Sequence, residues 1–237
     1  NRIGLVVLPD LNGNSVGEVA ELRGEGVLEI RDGGTGALLQ NLPALSAGFW
    51  PVAVKPLPDT DSNGIPELAV LTTRQSDGRA VVEIRNLTGA PAVRQIWFAA
   101  NHTPLAFSVV GDEADNNGDV EIAVLSRRDS DGRGLVEVKN AYGATSPVSI
   151  WVGAGFTPLD VEIAPDADGN GVPEVAMLSA RDSDGRIVVE VKNATGATNP
   201  RSVWFMAGTT AVDLAVVGDA DANGVPEVAV LSKRDSD

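Results

Sequence analysis

Acidic and amide side chains recur at alternate positions in five short, turn-forming stretches of this chain. They read PDLNGNSVGEVAEL from Pro9, PDTDSNGIPELAVL from Pro58, GDEADNNGDVEIAVL from Gly111, PDADGNGVPEVAML from Pro165 and GDADANGVPEVAVL from Gly218. The shared pattern is D-x-[DN]-x-N-[GS]-x-x-E, from a first acid to a closing glutamate. A hard cation such as Ca²⁺ takes roughly six to eight oxygens at about 2.3–2.6 Å, from carboxylates, amide oxygens and main-chain carbonyls. Side chains at positions 1, 3 and 5 of a tightly curled loop converge on one point. The carbonyl of position 7 and a carboxylate at position 9 close the cage, and glycine at position 6 permits the bend.

The candidate ligands follow from that register. Loop one offers Asp10, Asn12, Asn14, the Val16 carbonyl and Glu18. Loop two offers Asp59, Asp61, Asn63, the Ile65 carbonyl and Glu67. Loop four offers Asp166, Asp168, Asn170, the Val172 carbonyl and Glu174, and loop five offers Asp219, Asp221, Asn223, the Val225 carbonyl and Glu227. Loop three is irregular: counting back from Glu121 gives Asp119, Asn117, Asp115 and Glu113, with Asp112 replacing Glu113 if the loop bulges by one residue. Loop one is the weakest, with fewer carboxylates and with Ser15 where its counterparts have glycine. One such stretch alone is often only an Asx-rich turn. Five copies in register, each with a glutamate at its end, point to one divalent ion per loop. Without an ion, crowded carboxylates with no basic neighbour in the loop repel one another. Five Ca²⁺ would bring the net charge from −15 to −5.

The elements that position these loops are themselves repeated. The closing glutamates Glu18, Glu67, Glu121, Glu174 and Glu227 are 49, 54, 53 and 53 residues apart. The tryptophans Trp50, Trp97, Trp151 and Trp204 follow a similar beat. A fixed period of this size is the mark of a repeat architecture. In the copy from Thr157 the apolar runs are PLDVEIA, VPEVAMLSA, IVVEVKN and RSVWFMAG. Each is rich in Val and Ile and bounded by Gly, Asn, Asp or Pro, which predicts strands. None has the length of a periodic helix. Asp77-Gly78, Asp131-Gly132 and Asp184-Gly185 each suit a tight hairpin with positive φ. The first copy is shorter because its hairpin reads Arg23-Gly24-Glu25-Gly26.

Four antiparallel strands per unit of about 53 residues predict an all-β chain, a β-propeller of four-stranded blades with four and a half repeats. The expected blades are residues 1–50, 51–103, 104–156, 157–208 and 209–237, within one repeat domain. A β-sandwich and a tandem-sheet solenoid are the alternatives, and strict self-similarity disfavours the sandwich. The last unit has only its first two strands before Asp237. That leaves the edge of its second strand open to association, and predicts a longer array or strands supplied by another chain.

Composition excludes several function classes. With 18 basic against 33 acidic residues, the chain lacks the footprint for nucleic acid and the polybasic hold on an anionic membrane. No apolar run reaches the length of a membrane-spanning helix. The absence of cysteine removes disulfides, thiolate sites and thiol catalysis. The only histidine, His102, makes no acid–base constellation, so no enzymatic activity is expected. No cationic-then-apolar leader is visible at the start.

On these loops and this strand framework, the chain resembles the FG-GAP or VCBS-type repeats of calcium-binding β-propellers, including the propeller of integrin α-subunits. The resemblance implies blades running from inner to outer strand, with the Ca²⁺ loop between the first and second strands. The chain departs from it in lacking Phe-Gly and Gly-Ala-Pro signatures, and in closing with Glu where that family often has Asp. The resulting expectation is an extracellular or cell-surface module for adhesion, scaffolding or assembly, with structural Ca²⁺ and a protein or glycan ligand. The alternatives are the propeller of a polysaccharide lyase or another carbohydrate-active protein, and a repeat subunit of an extracellular filament.

Three further features have bland and sharp readings. The tryptophans, placed in the fourth strand, read as packing or as a ring of sugar platforms. Glu83/Arg85, Glu137/Lys139 and Glu190/Lys192 on the third strand read as a solvated charge ladder, helped by Arg133 and Arg186. Asn86-Leu87-Thr88, Asn101-His102-Thr103 and Asn193-Ala194-Thr195 fit the glycosylation sequon, or arise by chance.

Overall fold

A computed structural model describes residues 2–42, 45–87, 93–111, 119–142, 147–196, 200–222 and 225–235. Among them every regular element is a strand. The first sheet contains β1 (Arg2–Val7), β2 (Glu18–Arg23), β3 (Leu28–Asp32) and β4 (Leu38–Leu42). The second contains β5 (Phe49–Leu57), β6 (Glu67–Arg74), β7 (Ala80–Asn86) and β8 (Val93–Trp97). The third contains β9 (His102–Val110), β10 (Glu121–Arg128), β11 (Gly134–Asn140) and β12 (Val148–Trp151). The fourth contains β13 (Phe156–Ala164), β14 (Glu174–Arg181), β15 (Ile187–Asn193) and β16 (Arg201–Trp204), and the fifth only β17 (Thr209–Val217) and β18 (Glu227–Arg234). Within each sheet the strands pair in chain order, and all pairs are antiparallel.

The chain divides into two compact units, Asn1–Ala100 and Asn101–Asp237. In the first, Leu22, Leu28 and Ile30 of one sheet meet Val54, Leu68 and Val70 of the next in a single buried cluster. In the second unit the alternation of a β-strand makes β14 serve two cores. Val175 and Met177 join the cluster with Ala123, Leu125 and Val136 of the third sheet. Ala176 and Leu178 join the cluster with Leu214 of the fifth. A strand covered on both faces reads as a continuous apolar run, which is why β6, β10 and β14 lack the alternation of a half-exposed strand.

The first strand of each sheet carries a register shift, between Pro51 and Ala53 in the second sheet and between Pro158 and Asp160 in the fourth. Proline has no amide to offer a ladder, so a bulge is a place where it costs no hydrogen bond. The predicted hairpin turns have the expected backbone, with φ of 72° at Gly78, 76° at Gly132 and 69° at Gly185.

Two expectations need correction. Trp50 lies in β5, a first strand, and is 59% exposed. Only Trp97, Trp151 and Trp204 end fourth strands. There each ring is covered by two guanidinium groups, at 4.7 and 5.3 Å for Arg74 and Arg79 on Trp97, and at 4.8 and 4.9 Å for Arg128 and Arg133 on Trp151. This geometry favours packing by cation–π contact over open sugar platforms.

The charge ladder is not uniformly solvated either. Glu83 is 0% exposed and Arg85 4%, with Nη2 of Arg85 2.6 Å from Oε2 of Glu83. Burial pushes the Glu83 carboxyl up, but hydrogen bonds from Ser46, Arg85 and Gln95 and the charge of Arg85 hold it below its ordinary value. The side chains of Glu137 and Lys139 are also largely covered, and their charged atoms stand 3.2 Å apart.

At the seam of the fourth and fifth sheets, Asp160 accepts the amides of Val161 at 2.8 Å and Leu214 at 3.1 Å. Burial raises its pKa to about 6, those two amides oppose the rise, and the charges of Glu162 and Asp213 add to it. A carboxyl with a raised folded-state pKa stabilises the fold fully below its unfolded value of about 4, and that stability is lost as pH rises through about 6. At saturating Ca²⁺, the urea midpoint of the native chain should therefore fall relative to Asp160→Asn between pH 4 and 7. Parallel profiles for the two proteins would refute the assignment.

Candidate metal centre

The acidic loops join the first strand of each sheet to the second, between β1 and β2, β5 and β6, β13 and β14, and β17 and β18. The closing glutamate is the first residue of the second strand in every sheet, so ladder pairing anchors it: Glu67 lies between Leu57 and Asn86, and Glu174 between Ala164 and Asn193. That anchoring holds the carboxylate at the base of the loop, largely out of water.

Each loop is wound on its own side chains. In loop two, Asp59 accepts the amides of Asn63 and Gly64, Asp61 accepts that of Asn63 at 3.1 Å, and Asn63 accepts that of Ile65 at 2.8 Å. Loop four repeats this: Asp166 accepts from Gly169, Asn170 and Gly171, Asp168 from Asn170, and Asn170 from Val172. In loop one, Asp10 accepts from Asn12, Gly13, Asn14 and Ser15, and Asn14 accepts from Val16. The path needs two left-handed residues. Position 6 has φ of 66° at Ser15 and 84° at Gly64 and Gly171, and position 4 has 82° at Gly13, 61° at Ser62 and 76° at Gly169. The side chains of position 7, Ile65 and Val172, pack against the buried clusters beneath.

The acids meet as the spacing predicts in three loops. One oxygen from each of Asp59, Asp61 and Glu67 lies within 4.8 Å of the others, and the same holds for Asp166, Asp168 and Glu174 and for Asp219, Asp221 and Glu227. Asn223 of loop five lies outside the described residues. So do Asp112, Glu113, Asp115 and Asn117 of loop three. The remaining pair there, Asp119 and Glu121, is described, with Glu121 3% exposed.

The glutamates bear most directly on whether a cation fits. In loops one, two, four and five Oε2 of the glutamate accepts the amide of position 2: Leu11 to Glu18 at 2.7 Å, Thr60 to Glu67 at 2.7 Å, Ala167 to Glu174 at 2.8 Å and Ala220 to Glu227 at 2.8 Å. Thr60 adds its hydroxyl at 2.9 Å. Oε1 of Glu18 and of Glu67 is buried without a hydrogen-bond partner among the described residues. These two residues are 0% and 2% exposed. A buried carboxylate oxygen without a donor is costly unless a positive charge meets it.

The electrostatics agree. The Glu67 carboxyl is raised above its ordinary value by burial and by the charges of Asp61 and Asp59, against the hydrogen bonds from Thr60. Glu174 is raised by burial and by Asp168 and Asp166, against the Ala167 amide and Arg201. The first aspartates of loops one, two and four are held low instead. Amide donation from Ser15 leads at Asp10 and from Gly171 at Asp166, while at Asp59 the amides of Gly64 and Asn63 overcome a larger push from burial. Loops two and four thus pair an acid held ionised at the mouth with a carboxyl that resists ionisation at the floor, an arrangement that a divalent ion would relieve.

One group was not foreseen from the loops. Asp32, at the end of β3, is 5% exposed and accepts Nδ2 of Asn12 at 2.7 Å and also Nδ2 of Asn14. The bond from Asn12, with both donors of Thr35 and the amide of Gly34, holds its pKa down to about 2 against burial, Asn12 contributing most. The signal was present in the chain as the residue aligned with Asn86, Asn140 and Asn193, but its reach to the loop depends on pairing between strands.

No family model matches this chain, and no curated protein matches it. Solved structures do. The β-propeller domain BBS1N, in a crystal structure of its complex with ARL6DN soaked with mercury, superposes with a TM-score of 0.65 at 16% identity, covering 97% of this chain and 63% of that one. A mutant of AofleA from Arthrobotrys oligospora, in which three arginines are replaced by alanine, superposes with a TM-score of 0.53 at 15% identity, covering 86% of this chain and 60% of that one. The chain therefore spans less than two thirds of either relative's length. At such identities the likeness is one of fold alone, and together with the repeated four-stranded antiparallel sheets it makes this chain an all-β protein of the β-propeller type.

Proposed function

We propose that this chain is a Ca²⁺-stabilised β-propeller module of the extracellular space or cell surface, with a non-enzymatic role in adhesion, scaffolding or assembly toward a protein or glycan partner. The observation that carries the metal is the buried glutamate beneath the loops, with one oxygen on the loop amide and the other, in Glu18 and Glu67, without a donor among the described residues. Oxygen-only ligands of mixed charge suit a hard cation, and Ca²⁺ accepts irregular geometry better than Mg²⁺. When bound, the ion supplies positive charge that neutralises the acids and ties the loop to both strands. Exposed, weakly held sites fill at the millimolar Ca²⁺ found outside cells, which is the reason for the proposed location.

The test is Glu67→Gln. The amide oxygen keeps the donors of Thr60, and the new Nε2 faces the carboxylates of Asp59 and Asp61 in place of an ion. In EDTA the variant should melt at or above the native chain, because a buried carboxylate has gone. In 1 mM Ca²⁺ it should melt a few degrees lower, since a site with a Kd near 0.1 mM contributes about 1.4 kcal/mol there. Calorimetric titration should count one fewer ion per chain. The same ordering of melts in both buffers, or no Ca²⁺ uptake by the native chain, would sink the proposal.

A further inference from the structure

We infer that Asp32 belongs to the metal centre of loop one, as the residue that aims its two asparagines, and that this loop is a full Ca²⁺ site despite its missing acid; the inference rests on the metal reading above. In the second sheet, position 3 of the loop is Asp61, and the residue ending the third strand is Asn86, whose Nδ2 donates to Oδ2 of Asp61 at 2.5 Å. In the third sheet Asn140, at the same strand position, also donates to a loop acid, Asp119 at position 7, at 2.7 Å. The first sheet exchanges the two chemistries. Position 3 is Asn12, the third strand ends in Asp32, and the donor now lies on the loop and the acceptor on the strand.

The exchange preserves both charge and direction. Loop one holds Asp10 and Glu18, and Asp32 restores a third carboxylate beside it. A primary amide has one oxygen and one NH₂, so fixing the NH₂ fixes where the oxygen points. With Nδ2 of both Asn12 and Asn14 on Asp32, their Oδ1 atoms turn to the loop, where they accept the amides of Asn14 at 3.1 Å and Val16 at 2.7 Å. Asp32 is itself immobilised, since its Oδ1 accepts the Gly34 amide at 3.0 Å and the Thr35 amide at 2.6 Å. The second, independent sign of a cation here is Oε1 of Glu18, fully buried and without a donor among the described residues. Asp32 is a positioning residue. It serves the ion through the amides and not by contact.

The experiment counts Ca²⁺ per full-length chain by equilibrium dialysis, with affinities from calorimetric titration. Asp32→Asn sets an NH₂ against two others, so the loop amides must turn and present nitrogen to the ion. Asparagine already ends β7, β11 and β15, so the variant keeps a residue that this strand position accommodates. Its affinity at one site should fall at least tenfold, so that at the native midpoint the half-filled site becomes about nine-tenths empty and this ion is lost. Asn12→Asp combined with Asp32→Asn recreates the loop-two arrangement and should recover that ion, which a role confined to capping the Thr35 turn would not allow. In a Glu18→Gln background, Asp32→Asn should cause no further loss. Native stoichiometry in Asp32→Asn, or no recovery in the double variant, overturns this inference and leaves the other sites intact. A native chain that binds no Ca²⁺ overturns the function proposed above and this inference with it.

Discussion

Excess EDTA is expected to lower the melting temperature of this chain by about 15–25 °C relative to 1 mM Ca²⁺. Each loop with a Kd near 0.1 mM would contribute about 1.4 kcal/mol at that concentration, and five loops about 7 kcal/mol, comparable with the whole stability of a typical domain. For a chain of this length about 1 kcal/mol moves the midpoint by roughly 2–4 °C. The effect is large because the ion acts twice. It would bind only the folded loop, and it would relieve carboxyls such as Glu67 and Glu174 that burial and neighbouring acids push up. Mg²⁺ at the same concentration should restore little, because it holds its water and demands near-octahedral ligands. Scanning calorimetry in the three buffers measures this, and superimposable melts in Ca²⁺ and EDTA would remove the ion from the account of stability.

The largest effect of a single substitution is expected at Arg85. Arg85→Ala should cost about 3–5 kcal/mol, because it leaves a carboxylate buried without its cation. The partner Glu83 is 0% exposed, and its neutral donors Ser46 and Gln95, the latter at 3.1 Å, do not replace a charge. The comparison is Arg31→Ala, the same strand position in the first sheet. There the arginine side chain is 39% exposed beside Glu29, and an exposed pair is worth at most about 1 kcal/mol. Replacing Glu83 by Gln and Arg85 by Met together should recover most of the loss, since a dry ion pair repays its desolvation poorly. Urea unfolding of the four proteins decides the matter. Equal losses at Arg85 and Arg31 would show that burial of the pair contributes nothing.

The loops were legible because their chemistry is local. Asp59, Asp61 and Asn63 stand at alternate positions, and a nine-residue turn closed by Glu67 has few ways to dispose of them; Asp166, Asp168 and Glu174 gather in the same manner. The requirement for a left-handed residue at position 4 was harder to see, because Ser62 and Ala222 fill it as well as Gly13 and Gly169. Trp50 misled through its spacing. The first copy is a few residues shorter, so a tryptophan at nearly the expected interval falls in β5 and not in β4.

What the sequence by itself determined is the repeat, the all-β character, the strand–loop–strand frame and the acids of each loop. These follow from periodicity, turn residues and spacings of a few positions, which act within one stretch of chain. Only the tertiary structure decided that Glu83 and Arg85 are dry while Arg31 is wet, that Asp160 sits at a seam where its carboxyl is raised, and that Asp32 reaches Asn12 across 20 residues of chain. Burial and cross-strand contact depend on which sheet or strand lies alongside. No pattern within a single strand carries that information, because the same residues in each copy meet different neighbours.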